Sequence, residues 1–189
     1  MRWSSRASGS VRHFSALVTL KGRCYTARTM HRTVLFLCTG NFYRSRFAEA
    51  WFNHLASQQN LPWRAESAGL AEDCWTCNKG PLSPHVEQAL REAGIATGED
   101  PRCPVDATPE HFERATRVIA LHRVEHEPLL RERFGGYAAR VEYWGYPDVG
   151  EVPPKECLPA LRARVAALVN ELGQPQARHG ASAAADSRR

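Results

Sequence analysis

A cysteine, a Gly-Asn pair and an Arg-Ser pair stand close together in the run "LCTGNFYRSR", Leu37 to Arg46. The thiolate, not the thiol, is the sulfur nucleophile, and positive surroundings favour it. Arg44 carries a planar fork that matches two oxygens of a tetrahedral oxyanion. Gly40 permits backbone angles that other residues resist, and Asn41 tolerates the left-handed region while its amide braces a loop. Ser45 can cap a following helix and turn its hydroxyl toward the sulfur. The loop of Thr39, Gly40, Asn41, Phe42, Tyr43, Arg44 and Ser45 is therefore read as a phosphate-binding cradle with Cys38 aimed at phosphorus. Alone, a cysteine with an arginine six places later is weak. The bland reading is a buried strand-end thiol and a surface arginine.

The flanking elements decide between these readings. "TVLFL", Thr33 to Leu37, is a continuous β-favouring run and reads as a strand buried on both faces. Phe47, Trp51 and Leu55 recur every four residues, which predicts a helix from 45 to about 59. A loop from strand to helix points successive N–H groups into a concavity, and the helix dipole adds positive character. Further strands are read at 63–70, 116–121 and 140–144. Helices are read at 83–94, with Ser83 as N-cap and Pro84 first, after Thr108, along "VEHEPLLRERFGG", and over Pro154–Leu172. Strands alternate with helices, so the fold class is α/β: a parallel sheet with helices on both faces. Ligands of such sheets bind beyond the carboxyl ends of the strands, where Cys38 lies.

Composition narrows the function classes. The chain has 189 residues, 25 Lys or Arg against 20 Asp or Glu, and a formal net charge of +5. Residues 1–48 hold nine of the bases and no acid, so the body is net acidic and presents no stripe for nucleic acid. No apolar run is long enough to cross a membrane. Residues 1–31, Ser- and Arg-rich, are expected to be a disordered leader, a targeting segment or sequence upstream of a start at Met30. Residues 173–189 read as a frayed tail, leaving one domain over 32–172. Six cysteines in a chain of this length, without a secretory signal, suggest a reducing, cytoplasmic setting.

"VLFLCTGNFYRSRFAEA" resembles the signature of the low-molecular-weight protein tyrosine phosphatases, and "AESAGL" and "RVIALHRVEHEPLLRERF" resemble that family's second strand and its third strand with the following helix. The likeness runs from about Arg32 to Leu172. It implies a three-layer, flavodoxin-like sheet of four strands in the order 2-1-3-4. It further implies phosphomonoester hydrolysis through a cysteinyl phosphate on Cys38, with Arg44 holding the phosphoryl group and no cofactor or metal. The expected substrates are a phosphorylated protein or a small aryl phosphate, and the expected assembly is a monomer or weak dimer. The family's general acid follows its fourth strand, which here places Asp148 of "YWGYPDVGE" as proton donor to the leaving group and later as activator of water.

The sequence departs from the family pattern at four places. Tyr43 replaces a second loop cysteine, removing a disulfide partner for Cys38 and exposing it to harsher oxidation. Arg46 replaces a proline and is expected to add charge at the pocket mouth. Val149 follows the acid where a proline is usual, and gripping aromatics are missing there. Leu121-His122 stands for Met-Asp, so His122 is near the site by topology, either assisting protons or anions or simply satisfied at a strand end. "CWTC", Cys74 to Cys77, reads as structural, redox or metal-binding, with Trp75 a candidate pocket wall. Two other functions remain open: an arsenate reductase drawing on an external thiol, and a module that binds phosphorylated ligands with weak turnover.

Overall fold

The computed structural model describes residues 17–20, 23–26, 31–97 and 102–174. The front end forms its own unit, Met1–Met30, in which Leu17–Leu20 pairs antiparallel with Arg23–Thr26. The remaining leader and the tail beyond 174 lie outside the described residues.

The second unit is built on four parallel strands. β1 (Arg32–Cys38) is flanked by β2 (Trp63–Gly69) and β3 (Arg117–Ala120), and β4 (Val141–Tyr143) pairs with β3, giving the spatial order 2-1-3-4. Crossovers are carried by α1 (Arg44–Gln58), α2 (Cys74–Cys77), α3 (Pro84–Glu92), α4 (Pro109–Arg114) and α5 (Arg123–Phe134), with α6 (Pro154–Gly173) closing the chain. A 3-10 segment, Gly135–Arg140, follows α5 where glycines end the predicted helix. Among the described residues no helix is long and apolar enough to cross a membrane.

β1 shows why an unbroken apolar run is required. Alternate side chains of a strand point to opposite faces. Val34 and Phe36 pack with Phe47, Phe52 and Leu161 on one side, while Leu35 and Leu37 pack with Phe112, Leu130 and Phe134 on the other. Each fully buried side chain of this size contributes about 1.5–3 kcal/mol relative to exposure. A polar residue at any of these four positions would therefore damage one layer. The register pairs Cys38 with Gly69 and Leu37 with Ala120, so the strand ends of β1, β2 and β3 are flush at the carboxyl edge. The chemistry-bearing loop leaves the sheet from that edge.

Candidate active site

Helix α1 begins one residue earlier than its apolar spacing predicts, at Arg44, and buries Arg44, Ser45 and Arg46. Tyr43 occupies the N-cap position and makes no side-chain cap. Ser45 does not cap the helix, because its hydroxyl is engaged elsewhere: Ser45 Oγ lies 2.9 Å from Cys38 Sγ and accepts a hydrogen bond from Asn41 Nδ2 at 3.1 Å. With an N–H pointing at the oxygen, the hydroxyl proton is free to point at sulfur. Ser83, likewise read as a cap, holds the N-cap position of α3 without a capping hydrogen bond from its side chain.

Asn41 is fully buried and adopts φ +47°, in the left-handed region that Asn tolerates better than most residues. Every polar atom of its amide is used. Nδ2 also donates to Ser67 Oγ at 2.8 Å, and Oδ1 accepts from Val105 N at 3.0 Å and from Arg102 at 3.1 Å. Ser67 Oγ in turn donates to Glu49 Oε2 at 2.6 Å, and Arg102 donates to the same Glu49 oxygen at 2.7 Å. A buried polar network satisfied to this degree rigidifies what it holds. Here it fixes the turn of the loop. Among the described residues, none of the amides of residues 39–43 donates a hydrogen bond to a protein acceptor. An anion binding to the loop would find them free.

Gly69 allows the loop to approach β2. A Cβ there would lie 2.3 Å from Cys74 Sγ and 2.9 Å from the Thr39 carbonyl oxygen. The Cys74 thiol sits in that space and donates to the Thr39 carbonyl at 3.4 Å. Burial first, then the neighbouring Asp106 carboxylate, pushes the Cys74 thiol up to about 12, so it stays protonated.

Arg44 is 1% exposed, which demands paired charge. Nη1 donates to Glu125 Oε2 at 2.7 Å and to the Tyr146 carbonyl at 3.0 Å, and Nη2 donates to Glu125 Oε1 at 2.8 Å. Asp148 Oδ2 is 3.3 Å from Nη2. The Nε–H has no partner among the described residues, although it is buried. Glu125 thus takes the Nη1–Nη2 edge, while the Nε–Nη2 edge is left for a ligand beside Asp148. Thr39 Oγ1 also donates to Glu125, so its side chain turns away from the cradle and its amide is what it offers.

These groups open into one cavity of about 540 Å³, lined by Cys38, Gly40, Phe42, Tyr43, Arg44 and Asp148 together with Thr39, Asn78, Ser83, His85 and Val149. Cys38, Arg44 and Asp148, the three residues read as catalytic, therefore share it. Phe42 and Tyr43 both form its walls. Tyr43 is buried, and desolvation with the Cys157 thiol beside it raises its hydroxyl.

Three expectations are corrected. Trp75 is no pocket wall: it is 64% exposed on α2, and its neighbour Cys74 lines the cavity instead. His122 does not line the cavity either. It holds the N-cap position of α5, with Nδ1 3.7 Å from Glu125 Oε2. Arg46 is absent from the mouth, because its side chain turns inward and donates to the Arg102 carbonyl at 2.8 Å. The residues that sequence reasoning missed are Glu125, Arg102, Glu49, Ser67 and His85. A signal existed for Glu125 alone: an acid in the first turn of the helix that follows β3, at the same sheet edge as Cys38.

Comparison with known proteins gives a consistent placement. The family model described as "Low molecular weight phosphotyrosine protein phosphatase" matches residues 33–146, ending two residues short of Asp148. A protein-arginine-phosphatase of Bacillus subtilis is 32% identical over 108 residues, 57% of this chain and 67% of that protein. An arsenate reductase of Bacillus licheniformis is 32% identical over 120 residues, 62% of this chain and 73% of that protein. The crystal structure of a low molecular weight protein tyrosine phosphatase from Streptococcus pyogenes superposes with a TM-score of 0.63 at 19% identity, covering 75% of this chain and 93% of that one. With the loop, the sheet order and the family match in agreement, the chain belongs to the low molecular weight phosphotyrosine protein phosphatase family.

Proposed function

We propose that the protein is a phosphomonoester hydrolase that works through a cysteinyl phosphate on Cys38 and acts on phosphorylated protein or small aryl phosphates. The observation that carries this reading is that Cys38, with the Ser45 hydroxyl behind its sulfur, and Arg44, with its Nε–H unpartnered, line one cavity together with Asp148. In the first step the thiolate attacks phosphorus in line with the leaving oxygen. Arg44 and the free loop amides take up the charge on the three equatorial oxygens. Asp148 gives its proton to the leaving oxygen. In the second step Asp148 takes a proton from water as that water attacks the phosphorus, and the Ser45 hydroxyl stabilises sulfur as it leaves with the electron pair.

The walls support an aryl group. Phe42, Tyr43, Pro84 and Val149 are apolar or aromatic, and Asp148 is the one carboxylate among the lining residues, already close to Arg44. A guanidino leaving group would favour a further carboxylate on the wall. Arsenate reduction is the second reading, since arsenate has the shape and charge of phosphate and an arsenate reductase is among the relatives. Hydrolysis of p-nitrophenyl phosphate with a burst of phenolate equal to the enzyme tests the proposal. Consumption of an external thiol only when arsenate is present would favour the second reading. Retention of phosphopeptide with turnover near background would favour a binding module.

A further inference from the structure

Glu125 is a carboxylate placed against the phosphate-binding arginine by a different element of the fold. It reaches Arg44 from the first turn of α5, 81 positions along the chain. Both of its oxygens are used on the guanidinium, at 2.7 and 2.8 Å, and Thr39 donates to it from the start of the loop. Behind it stands His126, which is fully buried. The His122 backbone N–H donates to His126 Nδ1 at 3.0 Å, so that nitrogen is the acceptor and neutral His126 carries its proton on Nε2. Nε2 lies 3.5 Å from Glu125 Oε2. Among the described residues that Nε2 makes no hydrogen bond, so the ordered part is the Glu125–Arg44 pair with Thr39, which leaves the buried Nε–H of Arg44 without a partner.

A surface carboxylate paired with a mobile arginine contributes little. This pair differs in its bidentate geometry, its burial and its third hydrogen bond from Thr39. An unheld Arg44 could rotate about its side-chain bonds and present either edge to the cavity. With Glu125 on the Nη1–Nη2 edge, the Nε–Nη2 edge alone is presented, and orientation of this kind is worth decades in rate. We propose that Glu125 is a positioning residue, braced by the Thr39 hydroxyl, that fixes which edge of the Arg44 fork meets the phosphoryl group. This inference rests on the phosphatase reading above.

The test is a double-mutant cycle on kcat/KM for an aryl phosphate, crossing Glu125→Gln with Arg44→Lys. A hydrogen-bonded charge contributes about 1.5–3 kcal/mol, which corresponds to roughly 10–10²-fold in rate. Glu125→Gln alone is expected to lower kcat/KM by about that factor, chiefly in kcat. In the Arg44→Lys background it is expected to cost less than about threefold, because no fork remains to be positioned. A purely structural role would give the same loss in both backgrounds. Where Glu125→Gln does not fold, Glu125→Asp, which keeps the charge and withdraws its reach, takes its place in the cycle. Nuclear magnetic resonance of the Arg44 Nη protons in Cys38→Ser with inorganic phosphate adds a readout independent of turnover. Separate, slowly rotating signals are expected with Glu125 present and averaged ones without it. Additive losses, or a variant with wild-type kcat/KM, would overturn the inference. A wild type that fails to turn over substrate would count against the phosphatase reading, while the Nη signals would still decide for or against Glu125.

Discussion

Ser45 Oγ stands 2.9 Å from Cys38 Sγ while accepting a hydrogen bond from Asn41 Nδ2. Against the thiolate form of Cys38, which has no proton to give, the Ser45 hydroxyl is the donor to sulfur. Removing it should raise the cost of both forming and expelling the thiolate. Ser45→Ala is expected to lower kcat about 10–10²-fold, the loss of one hydrogen bond to a charged group. Stopped-flow kinetics should place part of that loss in breakdown of the cysteinyl phosphate.

Among the described residues Asp148 is the only carboxylate lining the cavity, and it is within reach of Arg44. Asp148→Asn should slow turnover of poor leaving groups by about 10²–10⁴-fold, the range for losing a general acid. Substrates with acidic phenols need less protonation, so the loss should shrink for them. A series of aryl phosphates of graded leaving-group pKa measures this directly, and an equal loss across the series would remove Asp148 from that role.

Gly69 has no room for a methyl group against Cys74 Sγ and the Thr39 carbonyl. Gly69→Ala should destabilise the fold by about 1–3 kcal/mol, as overpacking does, and should weaken phosphate binding because the displaced backbone belongs to the loop. Denaturant unfolding with and without phosphate separates the two effects.

Stability should fall on acidification in two stages. Burial holds the His126 imidazole below its ordinary value, with Arg44 and His122 adding to the shift and Glu125 opposing it. The unfolded chain therefore binds this proton first, and stability declines as pH drops below about 6.5. Burial would raise the Glu125 carboxyl, but the nearby His126 ring and the hydrogen bonds from Arg44 and Thr39 outweigh it and hold it far below the usual range. Its contribution is complete above the ordinary carboxylate value and is lost as pH falls beneath it. Thermal unfolding followed from pH 8 to 3 should show both declines, and Glu125→Gln should shrink the lower one, leaving the part due to other lowered carboxylates such as Asp106.

The loop was legible in the sequence because its parts are local. Cys38, Gly40, Asn41, Arg44 and Ser45 follow one another, and the buried strand and striped helix on either side announce themselves by periodicity. Element ends shifted by one or two residues, as at Arg44, where the site's own hydrogen bonds and not a cap set the start of the helix. What could not be read was the support. Glu125 and Arg102 meet the loop across 81 and 61 positions, and such pairs leave no local pattern. Trp75 was misplaced for a related reason: α2 is a single turn, whose side-chain directions depend on packing that a four-residue segment does not encode.

The most direct test of the account is hydrolysis of p-nitrophenyl phosphate near pH 6 by the wild type beside Cys38→Ser, with phosphate affinity measured for both. The account predicts turnover with a one-equivalent burst in the wild type, and its loss in Cys38→Ser with phosphate binding retained. Equal turnover by the two proteins would contradict a nucleophilic role for Cys38.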